Sequence, residues 1–178
     1  MGSVLAFEGP DLAGKSSLIS RLRDREPWSL WPMLRMDVPP ALLRDPLHRE
    51  WEVLSRAWNL GLVGFKRHMS FLLDRCYVSS LVYSRVYGRK ADLSYIEKVE
   101  EELQPTIVYV HTPIEVLLRR FEAEGDRTLH SQRVLIAVAK AYDDWYDAVE
   151  KRQFPTVVAV DGTAPFEDSV EAIVSELS

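Results

Sequence analysis

Five short apolar runs, separated by longer stretches with helical spacing, set the expected architecture of this chain. The first is Ser3–Glu8, where Val4, Leu5, Ala6 and Phe7 follow one another; the second, Ser29–Met36, is interrupted by Pro32. Met69–Leu73, Thr106–Val110 and Thr156–Val160 complete the set. Runs of this length without polar alternation predict strands covered on both faces. Between them, Leu18, Ile19 and Leu22 fall on one face of a helix, as do Trp51, Leu54, Trp58 and Leu62. The same holds for Val134 or Leu135, Val138, Tyr142, Trp145 and Val149, and for Val170, Ile173 and Val174. Five strands with helical crossovers predict an α/β fold: a five-stranded parallel sheet with helices on both faces. No linker, repeat or low-complexity segment divides residues 1–178, so a single domain is expected. In such a sheet, ligands sit beyond the carboxyl ends of the strands.

The stretch after the first run is Gly9-Pro10-Asp11-Leu12-Ala13-Gly14-Lys15-Ser16, which fits G-x-x-x-x-G-K-[ST] at every required position. A strand, a glycine-bearing loop and a helix N-terminus in succession bring several backbone N–H groups around one small volume. The helix dipole favours negative charge there and Lys15 adds a full positive charge. Gly9, Ala13, Gly14, Lys15, Ser16 and Ser17 are therefore the candidate binding residues for a nucleoside triphosphate. The Ser16 hydroxyl is a candidate ligand for a phosphate-bridging magnesium ion.

A second cluster follows the third apolar run: Asp74-Arg75-Cys76-Tyr77-Val78-Ser79-Ser80-Leu81-Val82-Tyr83. An acid at a strand end beside a phosphate-binding loop suits magnesium, held directly or through water, so Asp74 joins Ser16 as a metal candidate. Arg75 can make planar, bidentate contacts to phosphate.

Composition narrows the partners. Of the 178 residues, 47% are hydrophobic and 28% charged, ordinary for a globular protein. The net charge of −5 gives no sign of a nucleic-acid binder. One cysteine, Cys76, rules out an internal disulfide and fits a reducing compartment. Neither it nor the four histidines shows metal-ligand spacing. No signal peptide, myristoylation site or membrane-length apolar run is present, so a soluble, cytoplasmic protein is expected.

The chain resembles thymidylate kinase and its relatives among the P-loop nucleoside and nucleoside-monophosphate kinases. Phe7-Glu8-Gly9-Pro10-Asp11-Leu12-Ala13-Gly14-Lys15-Ser16 is similar to the family's F-E-G-x-D-x-x-G-K-[ST]. The second cluster is similar to D-R-x-x-x-S-x-x-x-[YF], with Ser79 and Tyr83 in register. The resemblance implies the three-layer P-loop kinase fold, ATP and Mg²⁺, small nucleotide substrates, and a place in nucleotide biosynthesis. It implies no membrane and no nucleic-acid partner, and it leaves a homodimer open. Asp11 would approach the sugar of the acceptor, and Asp74, Arg75, Ser79 and Tyr83 would line its site. The chain departs from the family's R-E-P-G segment, reading Arg35-Met36-Asp37-Val38-Pro39-Pro40 instead. Arg35 would contact an acceptor phosphate, whereas Asp37 falls where nucleoside kinases carry a general base. Trp51 and Arg56 are the candidates for the acceptor base, although an aromatic stripe with helical spacing also suits the core. The family supplies a further cation from the loop or from a lid. Leu12 holds the loop position here, so a lid over 119–133 is expected, with Arg120 and Arg127 as catalytic candidates beside Lys15, Asp11 and Arg75.

The leading reading is phosphorylation of a deoxynucleoside monophosphate, dTMP to dTDP. The competing readings are a deoxynucleoside kinase, a related kinase acting on a hydroxymethylated pyrimidine within DNA, and a nucleotide-binding switch module. The switch reading leaves Asp11 and Asp74-Arg75 without a role, and the chain has no N-K-x-D base-reading motif.

Overall fold

The computed structural model describes residues 2–36, 49–89, 92–124, 131–150 and 155–177, with the backbone alone for 49–52. The elements are β1 (Val4–Glu8), α1 (Lys15–Leu22), a 3-10 turn (Trp28–Leu30), β2 (Met33–Arg35), α2 (Arg49–Lys66) and β3 (Phe71–Asp74). They continue as α3 (Tyr77–Val86), α4 (Tyr95–Leu103), β4 (Thr106–His111), α5 (Ile114–Glu124), α6 (Gln132–Val149), β5 (Thr156–Asp161) and α7 (Phe166–Leu177). The strands form one sheet in the order β2-β3-β1-β4-β5, parallel throughout. The five-stranded α/β architecture expected from the apolar runs is the one observed.

Strand pleating sorts the core into two halves. Val4, Ala6, Phe71, Leu73, Ile107 and Tyr109 face one side, where they meet Leu62 of α2, Tyr77 and Val82 of α3, Val99 and Leu103 of α4, and Tyr142 of α6. Leu5, Phe7, Leu72, Val108, Val110 and Val160 face the other side and meet Leu18 and Ile19 of α1, Leu117 of α5 and Ile173 of α7. Each strand residue points opposite to its neighbours, so a buried strand needs apolar residues at every position. That holds for the interior strands β1 and β3, every residue of which is buried.

The two edge strands behave differently. In β5, Thr156, Ala159 and Asp161 are exposed, and β2 is largely exposed. The expected strand over Ser29–Met36 shrinks to Met33–Arg35, with residues 28–30 in a 3-10 turn. Pro32 has no N–H to give to a ladder, which stops the strand from extending backward. α5 also runs past Arg119 and Arg120 to Glu124, so these arginines sit within a helix rather than at its end. Residues 125–130 of the expected lid, including Arg127, lie outside the described residues, as does Asp37.

The sheet order places β1 between β3 and β4. Phe7 is opposite Asp74 on one side, and Glu8 is opposite Tyr109 on the other. The loop leaving β1 is thereby flanked by the carboxyl ends of both neighbours.

Candidate active site

The loop between β1 and α1 takes a shape that few sequences allow. Gly9 has φ 143° and Gly14 has φ 100°. A Cβ on Gly9 would lie 2.7 Å from the Val110 carbonyl oxygen. Both values fall where glycine is favoured. Leu12, at φ 66°, takes the same region with a side chain, a strained state typical of functional loops.

Side chains brace the loop from outside. Thr112 donates its hydroxyl to the Ala13 carbonyl at 3.1 Å. Arg120 donates to the Leu12 carbonyl at 2.7 Å and to the Gly162 carbonyl at 2.9 Å. In a planar trans peptide the C=O and the next N–H point in opposite directions. With the Ala13 carbonyl held outward, the N–H of Gly14 turns toward the concave side, while the Ala13 N–H donates to the Pro10 carbonyl at 3.4 Å. α1 begins there, with Ser16 and Ser17 exposed on its first turn. This is a nest for a phosphate-sized anion.

Gly162, just beyond β5, closes the brace. A Cβ there would overlap the Thr112 hydroxyl and come within 2.6 Å of the Ala13 carbonyl oxygen. Gly162→Ala is expected to cost about 1–3 kcal/mol from this overpacking. That corresponds to a fall in melting midpoint of roughly 2–12 °C, measured by thermal unfolding.

Lys15 is buried and folds back over its own loop, donating to the Gly9 carbonyl at 3.1 Å and the Pro10 carbonyl at 2.7 Å. Burial, with Arg75 close by, lowers its ammonium from the ordinary 10.5 to about 7; Asp11, Asp74 and Glu8 pull the other way. Those opposing effects place three carboxylates and one guanidinium around a single amine.

Arg75 sits just after β3 at φ 76°, again in the left-handed region. Its guanidinium pairs with Asp11 through Nη2. Through Nη1 it donates to the Gly9 carbonyl at 3.2 Å, the Ser79 hydroxyl at 3.2 Å and the Tyr142 hydroxyl at 3.0 Å. Burial disfavours its charge, but the facing Tyr83, Tyr142, Asp11 and Glu8 outweigh it and raise the pKa well above the ordinary value. The guanidinium also lies 5.5 Å over the Tyr83 ring, and the Tyr83 hydroxyl donates to Asp11 at 3.4 Å. Tyr87 stacks on Tyr83 at 6.3 Å, extending an aromatic wall away from the loop.

Asp74 is buried, with Arg35 of the adjacent strand 3.6 Å from its carboxylate. Asp11, Arg75, Ser79, Tyr83, Asp74, Arg35, Lys15 and the loop glycines thus converge on one mouth at the carboxyl end of the sheet. Arg56 lies elsewhere: it pairs with Asp92 at 3.2 Å and covers the Tyr95 ring of α4. Trp58 packs against the core on the α2 side. The side chain of Trp51 lies outside the described residues.

Two residues of the cluster, Glu8 and Tyr142, are not among the expected site residues. Glu8 is fully buried and receives the Tyr142 hydroxyl at 2.7 Å and the Ser79 hydroxyl at 2.8 Å. The sequence signals for Glu8 are its place in the Phe7-Glu8-Gly9 stretch and an acid at the end of an apolar run. Tyr142 reads as a core position of α6, and nothing local distinguishes it.

No protein-family profile and no curated protein sequence matches the chain. Solved structures do. Deoxyadenosine kinase from M. mycoides with bound dATP superposes with a TM-score of 0.74 at 14% identity, covering 98% of each chain. The same enzyme with dCMP and dCDP gives 0.67 at 15% identity, with 98% of each chain covered. YorR from Bacillus subtilis, in complex with phosphorylated GDP, gives 0.68 at 14% identity, covering 98% of this chain and 95% of that one. The fold is thus the P-loop kinase fold. Among the described residues, no helix is long and apolar enough to cross a membrane.

Proposed function

We propose that the protein is an ATP-dependent phosphotransferase whose acceptor is a pyrimidine deoxynucleoside monophosphate, dTMP first. The observation that carries this reading is the Asp11–Arg75 pair at the loop mouth. It sets a carboxylate and a guanidinium beside the nest, with Arg35 a strand away. An acceptor that arrives with its own phosphate needs cationic partners on that side. Asp11, held by Arg75 and Tyr83, would orient a sugar hydroxyl.

On the donor side, the loop amides and the Lys15 ammonium would hold the triphosphate, with Arg120 bracing the loop from behind. The Ser16 hydroxyl and the Asp74 carboxylate make an oxygen-only donor set, which suits magnesium. Among the described residues, no cluster of three or more His, Cys, Asp or Glu forms a metal site by itself. Ser16 and Asp74 would therefore share the ion with water and the nucleotide; when bound, it neutralises charge on the phosphates. A lid carrying Arg127 would exclude water during transfer.

A deoxynucleoside kinase is the second reading, favoured by the full-length structural likeness to deoxyadenosine kinase. One experiment separates the readings. The protein is incubated with ATP and magnesium against deoxynucleosides, their monophosphates and duplex DNA carrying hydroxymethylated pyrimidine, and ADP release is followed. Acceptor-dependent ADP with dTMP is expected. Turnover with thymidine or deoxycytidine and none with monophosphates would move the assignment to the second reading. No acceptor-dependent ADP at all would overturn both.

Nucleotide binding should also move protons. At pH 8 the Lys15 amine is largely neutral, since burial holds it at about 7, and a phosphate beside it favours the charged form. ATP binding at pH 8 is expected to take up about one proton. Calorimetry in buffers of differing ionisation enthalpy reads this uptake directly, and Lys15→Met should abolish it.

A further inference from the structure

Arg75 reaches the acceptor side from a strained backbone position, and a long side chain there needs something to fix its direction. The contacts behind it supply that. Its Nη1 donates to two hydroxyls, those of Ser79 and Tyr142, whose oxygens lie 2.9 Å apart. Both hydroxyls in turn lie within hydrogen-bond distance of one oxygen of Glu8, at 2.8 and 2.7 Å. The other Glu8 oxygen accepts from the backbone N–H of Cys76 at 2.6 Å and of Ser79 at 3.3 Å, at the start of α3.

A carboxylate only accepts hydrogen bonds, and a guanidinium only donates them. With Glu8 behind and Arg75 in front, both hydroxyls accept from the guanidinium, and their protons run toward Glu8 directly or from one hydroxyl to the other. The chain of donors therefore runs in one direction, and neighbouring bonds of this kind strengthen one another. We propose that Glu8 and Tyr142 are positioning residues that aim the Arg75 guanidinium at the acceptor, acting through the Ser79 and Tyr142 hydroxyls. The inference rests on the phosphotransferase reading for its kinetic consequence, but the aim of Arg75 can be measured without any turnover. Tyr142 also lies on α6, the helix that follows the expected lid segment, so the relay joins that helix to the acceptor side.

The test uses Tyr142→Phe, Ser79→Ala and Glu8→Gln in the full chain. Nitrogen-15 NMR of the Arg75 side chain gives the readout independent of activity. In the wild type, hindered rotation of the guanidinium is expected to keep its Nη signals separate; in Tyr142→Phe they should merge. In the acceptor assay, Tyr142→Phe should lower kcat by about 10- to 100-fold through misplacement of the arginine. The KM for ATP should stay within about twofold, because the donor nest is untouched. In an Arg75→Ala background, Tyr142→Phe should cost nothing further, a coupling that a purely structural hydroxyl would not show. Should Glu8→Gln fail to fold, the two hydroxyl variants decide. Separate Nη signals in both of them, or losses that simply add to that of Arg75→Ala, overturn the inference. A wild-type protein that phosphorylates no acceptor overturns the proposed function, and the NMR result then decides the positioning role by itself.

Discussion

Lys15→Met is expected to lower turnover by about 10²–10³-fold or more while leaving the ligand-free fold at least as stable as the wild type. On the proposed function the loss follows from position: the buried amine sits on the loop that would hold phosphate, and one preorganised charge of that kind supplies about 3–4 kcal/mol to the transition state. The gain in stability follows from the same burial. In the unfolded chain the amine titrates near 10.5; in the fold it titrates at about 7. Below pH 7 both states hold the proton, and the fold carries the full cost of a buried charge. Between 7 and 10.5 the unfolded state binds more protons, so wild-type stability gains from Lys15 as pH rises. Methionine fills similar space without a charge, so the variant lacks this pH-dependent gain and escapes the low-pH cost. Thermal unfolding from pH 6 to 10 without ligand, alongside turnover at saturating ATP, checks both halves. Near-normal turnover would remove the basis for the phosphotransferase reading.

The second large effect separates the two kinase readings. A monophosphate acceptor is already ionised near neutral pH and needs no general base. Asp11 then works by holding Arg75 and a sugar hydroxyl. Asp11→Asn should raise the acceptor KM and lower kcat, with Asp37→Asn the milder change. A nucleoside acceptor must lose a hydroxyl proton during attack, and general-base help is worth ~10²–10⁴-fold. Asp37→Asn would then be the damaging change, by a factor in that range. Steady-state kcat/KM for both variants, with dTMP and with thymidine, distinguishes the cases. A collapse confined to Asp37→Asn, with thymidine used, overturns the monophosphate assignment.

Much of this site is legible in the sequence because its chemistry is local. The loop spacing fixes where the nest lies, and Asp74-Arg75 follows an apolar run whose end must meet that loop in a parallel sheet. What could not be read depends on contacts between distant residues. Tyr142 lies 134 positions from Glu8, and its apolar neighbours on α6 mask a hydroxyl that bonds inward. The buried face of α3 includes Ser79, Ser80 and Ser84, polar positions that weaken an apolar helical pattern. Arg56 is named from the family resemblance, which carries no sign of its pairing with Asp92, 36 positions on. Arg120 was chosen for its charge; its engagement with two backbone carbonyls required the end of β5 to lie beside the loop.

The strand order also has a consequence for the chain during synthesis. The Gly9–Ser16 motif precedes all its partners along the chain: β1 finds its two neighbours only in β3 and β4, and the loop's brace reaches forward to Gly162. Such distant pairings close slowly, and a central strand without partners exposes both of its edges. The loop proposed to hold nucleotide is therefore expected to gain its full brace only once β5 has been made and has paired. A chain truncated before β5 is expected to keep the Gly9–Ser16 motif and to lose the brace at Gly162.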